Sequence, residues 1–166
     1  QNVTLTAVAN TLKQDKRIHF IAWKDNETNY VVSPDSNQTL TFSPNGPNTD
    51  EYNQSWSIDG DTAILDLTIS NEGFVQYNNY PDALARLDGA LHSHEGKLLI
   101  VDAKPSYEFI EKHSHNHAGG GAHGSLHKVD SIVPLIVAGT DERPPVKRLV
   151  DMKEWIIRLI SSSQIR

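Results

Sequence analysis

The spacing of apolar and polar positions changes character along the chain. Up to about residue 75, short apolar runs alternate with stretches rich in Asn, Ser, Thr and Pro, a pattern that predicts short strands joined by turns. Ile18–Trp23 (IHFIAW) predicts a buried strand. Tyr30–Ser33 and Thr39–Phe42, with Pro-Asp-Ser-Asn between them, predict a hairpin. Ala63–Ile69 (AILDLTI) alternates apolar and polar residues and predicts a further strand, with Asp66 and Thr68 on the face opposite its apolar residues.

From Tyr80 onward the pattern becomes helical and fully apolar by turns. Pro81 suits the first turn of a helix, where its missing N–H is not needed, and Asp82 complements the helix dipole there. Leu84, Leu87 and Leu91 form one apolar stripe, and Gly96 closes the segment. Lys97–Ala103 (KLLIVDA) and Ile132–Ala138 (IVPLIVA) are continuous apolar runs, which predict strands buried on both faces. Asp151 with Glu154 has the form of a capping box, and Trp155, Ile156, Leu159 and Ile160 follow at helical spacing. The expected organisation is a mostly antiparallel β subdomain over 1–75 and an α/β portion over 76–166.

Composition narrows the function. The 166 residues carry 15 basic and 21 acidic side chains, a net charge of −6, which argues against nucleic-acid binding and its basic face. There is no Cys, so neither a disulfide scaffold nor a thiolate metal site is available. No apolar stretch reaches the roughly 20 residues of a membrane span. Gln1 in place of Met predicts a processed or truncated chain. Four Asn-X-Ser/Thr triplets, starting at Asn2, Asn26, Asn37 and Asn53, are read as chance in a chain this rich in Asn and Thr.

The candidate chemistry lies in histidines. Five of the eight fall between residues 113 and 127. In an extended strand His113, His115 and His117 would share one face and could bind a metal together; the alternative is a solvated loop beside the glycines. His123 is set differently. Gly119-Gly120-Gly121-Ala122 precede it and Gly124-Ser125 follow, so small residues let the backbone approach a bound ion. A single His does not make a metal site, so its partners must come from elsewhere.

Gly121-Ala122-His123-Gly124-Ser125-Leu126-His127, followed by Val133-Pro134-Leu135-Ile136, resembles the C-terminal signature of the alkaline phosphatase superfamily. The branch it is most similar to is the bacterial type I phosphodiesterase/nucleotide pyrophosphatase group. Tyr80-Pro81-Asp82-Ala83, Leu98–Ala103, Pro105-Ser106-Tyr107-Glu108-Phe109 and Leu149-Val150-Asp151-Met152 extend the likeness. It covers about residues 15–160, with its specific motifs in 80–160, and the His-rich stretch 113–118 is longer than the family pattern there.

The resemblance implies a part of a three-layer α/β/α sandwich and the hydrolysis of a phosphoric ester. It implies two divalent metal ions in the full-length parent, zinc first and manganese as the alternative, with neither held tightly by this chain alone. It also implies a small phosphoester or nucleotide substrate, and the preceding N-terminal part of the same chain as a partner. Of the family's metal ligands only the last maps here, onto His123. His127 and Asp130 are placed to support that loop by hydrogen bonding, or else to serve as a cap and a surface group. The nucleophile, the first metal-binding Asp and the Asp-His-Gly segment have no counterpart; the chain contains no Asp-His dipeptide. Asp61-Thr62 reads as a turn, and Asp102 matches a position where the family carries small residues. The expected product is a chain inactive by itself, with a non-catalytic His-rich metal-binding module as the alternative.

Overall fold

The computed structural model describes residues 4–92, 95–113 and 123–163. The chain forms two compact units, Gln1–Ile132 and Val133–Arg166. It is a mixed α/β protein, with a seven-stranded mixed sheet and four α-helices among the described residues.

The first unit opens with α1 (Leu5–Leu12), capped by the Thr4 hydroxyl, which accepts from the Ala7 N–H at 3.2 Å. The strands follow as β1 (Ile18–Asp25), β2 (Thr28–Val32), β3 (Thr39–Asp50), β4 (Ser55–Gly60), β5 (Leu67–Ile69) and β6 (Phe74–Tyr77). Helix α2 (Ala83–His92) and strand β7 (Leu99–Ala103) come next, then the short helix α3 (Lys128–Ser131). The sheet order is β5-β6-β3-β2-β1-β7, with β4 also paired to β3. All pairs are antiparallel except β3 with β6. Strands from both sides of residue 75 therefore share one sheet.

The expected strand at 18–23 and the hairpin at 30–42 are present as β1, β2 and β3. The helix expected to open at Pro81 is present as α2 but starts at Ala83, with Pro81 and the left-handed Asp82 (φ 55°) preceding its first turn, and Leu84, Leu87 and Leu91 are its buried stripe. They pack on Phe20, Ala22, Val31, Leu40 and Phe42 in the larger core. The opposite face of β1 supplies Ile18, Ile21 and Trp23 to a smaller cluster with Ala9 of α1. Leu87 is 1 % exposed. Leu87→Ala should cost about 2–5 kcal/mol, the range for a buried leucine that leaves a cavity. The midpoint of urea unfolding is the measurement, and a variant as stable as the wild type would mean that α2 does not close this core.

Three of the expected strands differ. Residues 63–69 are not one strand: Thr62–Leu65 is a 3-10 turn, and only Leu67–Ile69 is extended. Asp61 caps that turn by accepting from the Ala63 N–H, and Asp66 takes a left-handed φ of 51°. Such a reversal breaks the alternation that the sequence displays. The run 97–103 is extended over Leu99–Ala103, yet it lies at the edge of the sheet beside β1 and is mostly half-buried, not covered on both faces. The run 132–138 is not a strand: its residues are irregular and exposed, with Ile132 69 % and Ile136 86 % accessible. Apolar content signals a need for burial without naming the partner, and no strand among the described residues pairs with this run.

In the second unit, helix α4 (Lys153–Ser163) follows a 3-10 turn at Leu149–Asp151. Trp155 is buried, whereas Ile156, Ile157 and Ile160 are exposed. Asp151 does not cap α4 through a capping box. Its carboxylate receives two bonds from Arg148, at 2.7 and 2.9 Å, and that guanidinium holds it below the usual carboxylate range. No helix among the described residues is long and apolar enough to cross a membrane.

Candidate functional site

The site is built around the segment His123–Ser131, where the first unit ends. His123 is exposed, and Gly124 after it has a φ of +117°, a region that favours glycine. Behind them the backbone is fixed from several sides. Asp130 accepts from the Ser125 N–H at 3.3 Å, and the Ser125 hydroxyl accepts from the His127 N–H at 3.0 Å. His127 caps α3: its Nδ1 accepts from the Val129 N–H at 3.2 Å, so the neutral ring carries its proton on Nε2. Leu126 packs against the larger core.

The stretch before α2 reaches the same segment. Asn79 accepts from the Lys128 N–H at 2.7 Å, while the Asp66 carboxylate receives both the Asn79 N–H and the Asn79 side-chain amide. The Tyr80 ring meets the His127 ring edge-on, with centroids 5.4 Å apart. Its other neighbour is His19, stacked at 4.8 Å, whose Nε2 lies 3.3 Å from the Tyr80 hydroxyl. Burial, followed by the charges of Asp102 and Asp66, pushes the Tyr80 phenol up to about 12.

A β-bulge explains how His19 comes to be there. Ile18 pairs with Ala103 and Phe20 with Asp102, so β1 has one extra residue, His19, opposite β7. The extra residue reverses the alternation, which is why Ile18 and Phe20 enter different clusters. It also brings the His19 Nδ1 within 3.6 Å of the buried Asp102 carboxylate. That nitrogen has no hydrogen-bond partner among the described residues.

The structure thus gathers His127 and Asp130 around the backbone just after His123. His113 is exposed, and His115 and His117 lie outside the described residues. Among the described residues no three His, Asp or Glu side chains converge as a metal site would require. His19, Tyr80, Asp102 and Arg86, whose Nη1 donates to the Leu126 carbonyl at 3.0 Å, also belong to this region, and the sequence pattern singles out neither His19 nor Arg86 for it. The bulge has no local signature, and Arg86 reads as an ordinary polar residue on an amphipathic helix. Asp102 stands out only as an acid within an apolar run.

No family model matches the chain, and neither the curated proteins nor the solved structures contain a match to it.

Proposed function

We propose that this chain is the C-terminal part of a metal-dependent phosphodiesterase or nucleotide pyrophosphatase, and that His123 is its contribution to the metal site. The observation that carries the reading is the pairing of an exposed imidazole with a fixed backbone immediately behind it. His123 is accessible, while Ser125 to Ser131 are held by Asp130, Asn79 and Arg86. A ligand that must sit roughly 2.0–2.1 Å from a zinc ion needs such support.

Among the described residues no three ligands converge, and His123 alone cannot hold two metal ions about 4 Å apart. The remaining ligands and the nucleophile would come from the N-terminal part of the same chain. The three-layer α/β/α sandwich would likewise belong to the whole domain. The exposed run 132–138 and the outer edge of β7, which no strand among the described residues covers, favour this division, because both offer strand-forming surface to further elements.

Two measurements test the reading. The coding sequence upstream of Gln1 should specify a metal-binding Asp, a Ser or Thr nucleophile and an Asp-His-Gly segment. Purified residues 1–166 should not hydrolyse aryl phosphodiesters or nucleotides above background with zinc, manganese or magnesium. Turnover that survives repurification, or an upstream sequence without those motifs, would sink it.

A further inference from the structure

We propose that Arg86 is the positioning residue for the His123 loop, a clamp that ties this segment to the start of α2. The functional half of the inference rests on His123 being a metal ligand; the mechanical half stands on the contacts alone. Arg86 Nη1 lies 2.8 Å from the Ser131 hydroxyl, 3.0 Å from the Leu126 carbonyl and 3.2 Å from the Pro81 carbonyl. One nitrogen thus faces acceptors on both segments, which lie 40 to 45 residues apart in the chain. The Ser131 hydroxyl passes the restraint on: its one hydrogen is shared between the Leu126 and His127 carbonyls, 3.0 and 2.9 Å away.

The guanidinium is half-buried, and it meets the segment within a few residues of His123. Its removal would leave the Leu126 carbonyl with Ser131 as its remaining partner among the described residues. The loop would then sample more positions while the sheet, which Arg86 does not cross-link, stayed intact. A ligand carried on a loosened loop binds its ion more weakly, because ordering the loop then opposes each binding event.

The tests are Arg86→Met, which keeps the apolar stem and removes the donors, and Arg86→Lys. Nη1 has two hydrogens for three acceptors, and a lysine ammonium has three, so Arg86→Lys should regain most of what Arg86→Met loses. Ser131→Ala is the companion variant should Arg86→Met fail to fold. In residues 1–166, amide exchange over 125–131 should accelerate roughly ten-fold in Arg86→Met, the effect of one lost net hydrogen bond, with β1 to β3 unchanged. In the full-length chain, the zinc concentration giving half-maximal activity should rise about 10–100-fold, as for other groups that orient metal ligands, with kcat recovered at saturating zinc. Unchanged exchange over 125–131 in both Arg86→Met and Ser131→Ala overturns the clamp. An unchanged zinc requirement in those variants, where His123→Ala is inactive, overturns the positioning role alone. Full activity in His123→Ala overturns the functional reading together with this role.

Discussion

On the proposed function, His123→Ala in the full-length chain should lower phosphodiesterase activity roughly 100-fold or more, since groups that merely orient a ligand already contribute about 10–100-fold. The loss should come with little change in stability. His123 is exposed and is not among the core residues, so truncating it removes no buried surface. The simultaneous change of His113, His115 and His117 to Ala is the control, and it should leave most of the activity. Steady-state rates at saturating zinc, with a thermal melt of each variant, make the comparison. If His123→Ala stays near wild type while the triple variant is dead, the His-rich segment is the metal site and the assignment of His123 is wrong.

Asp50→Asn should be among the most destabilising conservative changes in the chain, at on the order of 3 kcal/mol or more. Asp50 ends β3 and is 1 % exposed. Its carboxylate accepts from the Tyr52 N–H at 2.9 Å, the Gln54 N–H at 2.9 Å, the Gln54 side-chain amide at 3.1 Å, the Trp56 indole at 2.9 Å and the Tyr77 hydroxyl at 2.8 Å. One carboxylate thereby fixes the β3–β4 turn, the first residues of β4 and the end of β6. An amide presents N–H groups where two or more of these donors need an acceptor, leaving buried donors unsatisfied.

Burial pushes the Asp50 carboxyl up, but the donors outweigh it and hold it below the ordinary value of 3.8. Its folded value is therefore depressed relative to the unfolded chain. The stabilisation it contributes is fully present above 3.8 and is lost as the pH falls through the folded value. Urea midpoints at neutral pH and in acid should show the wild type falling in acid, with that part of the fall missing in Asp50→Asn. Equal midpoints for the two proteins at neutral pH would show that the carboxylate is not the node of this turn.

Much of the first unit is legible in the sequence because its signals are local. Ile18–Trp23, the 30–42 hairpin and the Leu84, Leu87, Leu91 stripe need only the periodicity of a strand or helix to declare themselves. The proposal for His123 starts from a local pattern too, glycines and a serine around an imidazole within a few residues.

What the tertiary structure alone decides is relational. The runs 97–103 and 132–138 carry the same apolar signal, yet one became an edge strand and the other an exposed irregular segment. Hydrophobicity sets the demand for burial, and the available partner decides whether it is met. The alternation of 63–69 was cut by the left-handed turn at Asp66, whose carboxylate holds Asn79. Asp50 is one acid among many until folding brings a tryptophan, a tyrosine and a turn to its two oxygens. The bulge that places His19 against Asp102 and Tyr80 exists only once β1 pairs with β7, and the Arg86 contacts exist only once α2 meets the segment after His123. Such features depend on register and approach between distant parts of the chain, and a one-dimensional pattern carries neither.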